Sequence, residues 1–261
     1  MKKMLDLVVV SNIRLNRNHC LIKLTTLDKS PIPDILPGQF VEVRVNNTDK
    51  AFLRRPISAN YFDKSRNELW LLIQVVGKGT LQLSQLEKNG KVNLLIPLGN
   101  IFSIPQVFNA NDKLLLVGGG VGIAPMLYLG SMLKEKGYNP VFLLGARSKD
   151  DLLQIEEFSK YGEVFCTTED GSYGEKGYVT DHSILQNKIF SRIYSCGPKP
   201  MMVAVAKYAH KADIDCEVSL ENTMACGFGA CLCCVENTQK GNTCVCTEGP
   251  VFNTKVLKWI D

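Results

Sequence analysis

Six of the ten cysteines of this 261-residue chain lie in one stretch near its C-terminus, MACGFGACLCCVENTQKGNTCVC. Four of them, Cys226, Cys231, Cys234 and Cys246, read C-x4-C-x2-C-x11-C. That spacing places three thiolates on one tight loop and brings a fourth from a following strand, the plan by which a plant-type [2Fe-2S] cluster is held. The loop must wrap closely around inorganic sulfide, and Gly227 and Gly229 provide backbone conformations that a Cβ would resist. A chain built this way moves electrons one at a time.

Two other readings of the cysteines compete with this one. Disulfides belong to secreted chains, and the N-terminal MKKMLDLVVVSN is a poor export signal because its apolar run is short and Asp6 interrupts it. It reads better as a first β-strand. Without export, thiols stay reduced, and dense clusters mean metal or catalysis. A four-cysteine zinc site pairs two short knuckles. Here Cys231-x2-Cys234 is one, and Cys244-x-Cys246 is too tight for a second. Spacing therefore favours iron–sulfur. Cys233 and Cys244 are extra thiols within reach of the loop and leave the choice of ligands partly open.

Further chemistry-bearing residues precede the cysteines. Gly118-Gly-Gly-Val-Gly122-Ile-Ala-Pro125 stands between a buried strand and a helix, where free N–H groups favour a phosphate and glycines admit a pyrophosphate. It lacks the G-x-G-x-x-G fingerprint of the standard dinucleotide fold, and a purely structural turn is the alternative. Ser195-Cys196-Gly197-Pro198 also ends a strand just before a helix, so the two turns describe one crevice at the strand C-termini. Cys196 alone would read as a small buried hydrophobe. In Leu53-Arg54-Arg55-Pro56-Ile57-Ser58, a guanidinium beside a hydroxyl can grip a phosphate; a solvated surface pair of arginines is the alternative. Gly77-Lys-Gly79-Thr80 either holds a second phosphate oxygen or simply caps a helix. The three histidines are scattered and read as structural or surface residues. The Thr168–Gly174 run reads as a loop.

These residues need elements to position them. Short apolar runs at Leu7–Val10, Cys20–Leu24, Phe40–Val45, Leu69–Val75 and Val92–Ile96, separated by turn formers such as Pro37-Gly38 and Asn89-Gly90, suggest a small barrel. A short helix is expected over Thr80–Leu86. From Asp112 strands alternate with helices: strands at Leu114–Val117, Pro140–Leu144, Glu163–Thr167, Ile193–Ser195 and Glu217–Ser219, and helices through Lys136, over Asp151–Tyr161 and over Pro200–Ala212. That alternation makes a parallel sheet with crossovers. Pro250-Val-Phe and Val256–Ile260 are expected to pack back on the body.

The chain is 45% hydrophobic and 21% charged, ordinary globular composition with room for two domains and a small module. The net charge of +4 is weak and unclustered and gives no case for nucleic acid. Leu114–Leu133 is uncharged and long enough to cross a membrane, but its five glycines and Pro125 fit a strand, a glycine turn and a helix start.

Taken together, the residues carry a resemblance. R-x-x-S in a first barrel, with G-G-G-V-G-I-A-P and C-G-P in a second domain, is similar to the ferredoxin–NADP reductase superfamily. The C-terminal C-G-x-G-A-C-x-x-C, with a last cysteine before T-E-G-P-V-F, resembles the family of electron-transfer subunits of B-type dihydroorotate dehydrogenases. The match runs in order over essentially the whole chain, including RRPIS, GKGT and TEDGSYGEKGYVTD.

The resemblance implies three parts: an antiparallel β-barrel FAD domain (1–101), a parallel-sheet α/β NAD domain (102–220) and a small C-terminal [2Fe-2S] module (221–261). It places Arg55, Pro56, Ile57 and Ser58 against the flavin and its phosphates, with Gly79 and Thr80 completing the pyrophosphate site. Gly119, Gly120 and Gly122 would face NAD, with Cys196, Gly197 and Pro198 near the nicotinamide. Cys226, Cys231, Cys234 and Cys246 would ligate iron. The implied activity is electron transfer from the FMN of a catalytic partner, through the cluster and FAD, to NAD+, in a cytoplasmic heterotetramer that oxidises dihydroorotate. No membrane or nucleic-acid partner is expected.

Overall fold

Six antiparallel strands close a barrel in the first compact unit of the chain: β1 (Lys3–Arg14), β2 (His19–Thr26), β3 (Phe40–Val43), β4 (Arg55–Asp63), β5 (Glu68–Gln74) and β6 (Lys91–Leu98). Their order around it is β1-β2-β5-β4-β3-β6. The structure, a computed structural model, describes residues 2–45, 51–105, 109, 111–187 and 190–259. In β6, Val92, Leu94, Ile96 and Leu98 are buried, while Asn93, Leu95 and Pro97 between them are only half-covered. This period of two separates the inner from the outer barrel face. Each of the five apolar runs marks a strand, although β3 ends at Val43 and β5 at Gln74, short of the ends of their runs. β4 had no such run: its mixed sequence RPISANYFD hides a strand whose pairing supplies the burial. Helix α1 (Lys78–Ser84) begins two residues before its expected start.

The second unit is built on a seven-stranded sheet. Its strands are β7 (Leu114–Gly119), β8 (Val141–Ala146), β9 (Glu163–Thr168), β10 (Glu175–Lys176), β11 (Arg192–Cys196), β12 (Asp215–Ser219) and, later in the chain, β15 (Val251–Asn253). The order is β10-β9-β8-β7-β11-β12-β15. All neighbours are parallel except β15, which runs antiparallel to β12. Helix α2 (Ala124–Glu135) follows β7 through a 3-10 turn, so the long uncharged stretch is a strand, a turn and a helix. Among the described residues no helix is long and apolar enough to cross a membrane.

The helix expected over Asp151–Tyr161 is shorter, α3 (Ile155–Ser159). Gln154 before it takes a left-handed conformation at φ 57°, and Leu152 is extended, which burial of Leu153 accompanies. A one-turn helix α4 (Ile184–Asn187) precedes β11, and α5 (Lys199–Lys211) links β11 to β12.

After β12 come a hairpin of β13 (Val235–Thr238) and β14 (Gly241–Cys244), and one helical turn, α6 (Val245–Glu248). By contacts, residues 222–236 and 244–250 belong with the barrel unit, and residues 237–243 and those from Val251 on belong with the sheet unit. β15 fulfils the expected packing of Pro250-Val-Phe; Ile260 lies outside the described residues.

Candidate cofactor sites

The cysteine loop is shaped by three residues at positive φ: Gly227 (74°), Gly229 (92°) and Leu232 (58°). These turns aim backbone N–H groups at sulfur. Phe228 N and Ala230 N donate to Cys226 Sγ at 3.5 and 3.3 Å, and Cys246 N donates to Cys234 Sγ at 3.3 Å. Val245 N donates to the Cys234 carbonyl at 3.1 Å, which fastens the start of α6 to the loop. The four are free thiols that come in hydrogen-bonded pairs, Cys226 with Cys231 and Cys234 with Cys246.

Burial raises the Cys226 thiol, but the N–H donors of Phe228, Cys231 and Ala230 and the Cys231 thiol outweigh it and bring its pKa down to about 6. It is therefore disposed to be thiolate, the ligating form. Cys246 is pushed up to about 12, first by burial and then by Cys234. A metal would have to displace that proton.

Among the described residues no three or more His, Cys, Asp or Glu side chains converge on a single point at metal-holding distance. The donor set instead offers two thiol pairs: Cys226, Cys231 and Cys234 lie on the N–H-lined loop, and Cys246 comes from α6, just past the end of β14 and not from the strand itself. A two-iron cluster takes four thiolates, two for each iron, so two pairs fit it in number and in chemistry. Cys233 is exposed, and Cys244 is half-buried with its thiol raised by burial and by neighbouring Cys234 and Glu248.

In the barrel the two adjacent arginines part company. Arg54 Nη1 donates to the carbonyls of Glu42 and Asn93, each at 3.1 Å, and Nη2 to Asn93 Oδ1 at 2.5 Å. It ties β3 and β6 to the start of β4. Arg55 Nη1 donates to its neighbours' carbonyls, Leu53 at 2.8 Å and Arg54 at 3.2 Å. Its guanidinium lies over Gly79: a Cβ there would fall 2.5 Å from Nε and 2.8 Å from Nη2. The structure thus brings the Arg55–Ser58 strand and the Gly77–Thr80 turn together.

Thr80 is buried, and its hydroxyl serves that turn, accepting from Val76 N and Gly77 N at 3.0 and 3.2 Å and donating to the Gly77 carbonyl at 3.1 Å. Pro56, Ile57 and Ser58 pair with Glu42, Val41 and Phe40 of β3. Glu42 was not singled out by sequence reasoning. A lone carboxyl inside the apolar run FVEV was the available signal.

The two glycine turns of the sheet unit meet. β7 and β11 are parallel neighbours with Gly118 opposite Cys196, so both turns leave the same edge. β8 lies on the other side of β7, which makes this the switch point where such sheets bind ligands. A Cβ on Gly122 would fall 2.5 Å from Gly197 Cα and 2.6 Å from the Cys196 carbonyl oxygen, so the backbones touch. A Cβ on Gly119 would run into the Met201 side chain and fall 3.1 Å from Pro198 Cδ. Gly120, at φ 55°, has nothing within 4 Å of its Cβ direction and borders open space. Cys196 is fully buried, and burial followed by the charge of Glu221 pushes its thiol far up. It is a neutral wall of the crevice and no nucleophile. In the Thr168–Gly174 loop the Asp170 carboxylate accepts from Ser172 N and Oγ and so closes its own turn.

A closed antiparallel barrel, a parallel sheet with paired glycine turns at its switch point and a thiol-rich loop define a flavin- and nicotinamide-dependent oxidoreductase of the ferredoxin reductase type. Comparison with known proteins narrows the class. Residues 221–258 match the iron-sulfur cluster binding domain of dihydroorotate dehydrogenase B, and residues 116–207 the oxidoreductase NAD-binding domain. The dihydroorotate dehydrogenase B (NAD(+)) electron transfer subunit of Fusobacterium nucleatum is 37% identical over 222 residues, covering 83% of this chain and 84% of its own. That of Listeria innocua is 40% identical over 224 residues, covering 85% and 87%. The chain belongs to this family of electron transfer subunits. Among solved structures, one of an NADH-dependent reduced ferredoxin-NADP oxidoreductase superposes with a TM-score of 0.85 at 29% identity, covering 97% of this chain and 90% of that one.

Proposed function

We propose that Cys226, Cys231, Cys234 and Cys246 hold a [2Fe-2S] cluster, that Arg55, Pro56, Ile57, Ser58, Gly79 and Thr80 form the FAD site, and that Gly119, Gly120, Gly122, Cys196, Gly197 and Pro198 form the NAD site. The chain is the electron-transfer subunit of an NAD-linked dihydroorotate dehydrogenase. Bound flavin supplies the exchange between hydride and single electrons that nicotinamide and iron–sulfur each lack. The observation that carries this reading is the pairing of four thiols, three on one loop and the fourth on α6, with backbone N–H groups pointing at sulfur.

Each residue has a defined task. The amides around Cys226 favour its thiolate and would offset negative charge gathered at the loop. Arg55 offers a fork for a phosphate, and Gly79 leaves room for the guanidinium to lie flat against the turn. Thr80 keeps that turn rigid through its three bonds. Gly120 keeps the mouth of the crevice clear for a pyrophosphate, while Gly122 lets the Cys196–Pro198 turn close against it. These assignments divide the chain by task into residues 1–101, 102–220 and 221–261. The ten free thiols suit a reducing compartment, and the cytoplasm is the location this reading assigns.

The partner is an FMN-containing dihydroorotate dehydrogenase subunit, in a heterotetramer built on a catalytic dimer. Phe228 and Leu232, 49% and 64% exposed beside the ligand cysteines, provide apolar contact for it. Co-expression with such a subunit should yield a complex that reduces NAD+ with dihydroorotate. The chain alone should reduce dyes with NADH and leave dihydroorotate untouched, and Phe228→Asp should weaken assembly. Dihydroorotate oxidation by the chain with the partner rigorously absent would refute this division of labour.

A further inference from the structure

Glu42 is fully buried, and neither of its carboxylate oxygens has a hydrogen-bond partner among the described residues. Buried polar groups are nearly always paired, and an unpaired carboxyl is a cost that packing does not explain. Such groups concentrate at functional sites.

Its neighbours identify what it faces. On β3 it stands opposite Pro56 of β4 and Leu95 of β6. Directly opposed residues share a face, and Leu95 belongs to the half-covered outer row of β6, so Glu42 points out of the barrel. It is nonetheless wholly covered. A Cβ on Gly227 would fall 2.6 Å from Glu42 Cγ and 2.9 Å from Oε1, so the residue next to Cys226 sits directly on the acid's side chain. Gly227 is thus doubly constrained, by its positive φ and by the carboxyl beneath it. Burial pushes the Glu42 carboxyl up to about 7, against the pull of Arg54 and Arg55 and with a smaller push from Cys226, so at pH 8.5 it is the carboxylate. Arg54 is committed to the carbonyls of Glu42 and Asn93 and the Asn93 side chain, so its charge compensates the acid only from a distance. One buried carboxyl is therefore a cross-strand neighbour of Pro56 and lies directly under the loop that carries Cys226, Cys231 and Cys234.

We propose that Glu42 is a positioning residue that sets the reduction potential of the cluster held by Cys226, Cys231, Cys234 and Cys246. This rests on the iron–sulfur reading of that loop. Reduction adds one negative charge at the loop, and a carboxylate buried under it, with no donor to disperse its charge, opposes that addition in a medium of low dielectric. Glu42 therefore holds the potential below the value the cysteines and their N–H donors alone would set.

The test is a redox titration of the full chain loaded with iron, sulfide and FAD, at pH 8.5, following the reduced cluster by electron paramagnetic resonance. Glu42→Gln keeps the size and removes the charge; it should shift the cluster potential to more positive values with iron and FAD content unchanged. Asp34→Asn, an exposed acid of the same unit, should leave the potential where it is. An unshifted potential in iron-replete Glu42→Gln, or an equal shift in Asp34→Asn, overturns the proposal. Should Glu42→Gln fail to load iron, Glu42→Leu, which removes the charge and leaves no buried polar group unpaired, decides: a more positive potential upholds the role of the charge, and a wild-type potential refutes it. Wild-type protein that takes up no iron and gives no reduced-cluster signal would remove the iron–sulfur reading itself, and this inference with it.

Discussion

Arg55→Ala removes a guanidinium that contributes little to the fold. Among the described residues its hydrogen bonds reach the carbonyls of its neighbours Leu53 and Arg54, and the residue is half-exposed, so the loss costs about 0.5–1 kcal/mol of stability. Its contribution to FAD should be larger. A charge-assisted hydrogen bond to a phosphate is worth roughly 1.5–3 kcal/mol. At about 1.4 kcal/mol per tenfold, flavin affinity should fall roughly ten- to a hundredfold. Gly79→Ala reaches the same interaction from the other side. Its methyl group would stand 2.5 Å from Arg55 Nε, 2.8 Å from Nη2 and 2.9 Å from Cζ, and the flexible guanidinium must swing away. The two substitutions should therefore not add: on the Arg55→Ala background, Gly79→Ala should cost little further affinity. Fluorescence titration of the apoprotein with FAD measures the four dissociation constants, and urea unfolding checks the fold. Unchanged affinity in Arg55→Ala makes the arginine a mere surface charge. Full additivity refutes the contact as the route by which Gly79 acts.

Cys231→Ser should lose most bound iron, while Cys233→Ser and Cys244→Ser retain it. Iron and sulfide analysis decides, and loss in Cys244→Ser with retention in Cys246→Ser would replace the fourth ligand. Gly120→Val should block reduction of FAD by NADH and leave FAD and iron in place, because its side chain would enter the open mouth of the crevice from a strained φ of 55°. Stopped-flow reduction at the wild-type rate would move the dinucleotide elsewhere. His182 is buried and accepts a hydrogen bond from Ile184 N at its Nδ1, 3.0 Å away. Burial depresses its pKa below 6.5, against a smaller opposing pull from Glu175. The neutral ring is thus favoured in the fold, so its contribution to stability is complete above pH 6.5 and is lost as pH falls through the lower folded value. His182→Asn keeps an acceptor without the charge and should flatten the acid side of the urea-midpoint profile; an unchanged slope would assign that loss to other groups.

The sequence by itself determined the chemistry and the local elements. Thiol type and spacing select iron–sulfur, because ligation needs those atoms at those separations whatever surrounds them. Alternating apolar runs mark strands, and glycines between a buried strand and a helix mark a phosphate turn, because both are short-range properties of the backbone. What only the tertiary structure decided depends on partners distant in the chain. β4 is a strand through its pairing with β3 and β5 and through no apolar run of its own. The difference between Arg54, bound to Glu42 and Asn93, and Arg55, free to lie on Gly79, cannot be read from two adjacent arginines. The contact of Gly122 with Gly197 comes from strand order. The C-terminal segment, one run in sequence, divides its contacts between the barrel and sheet units. Glu42 shows the limit most plainly: on an outward-facing barrel position a carboxyl should meet water, and only the loop folded over it, nearly two hundred residues later in the chain, makes it buried.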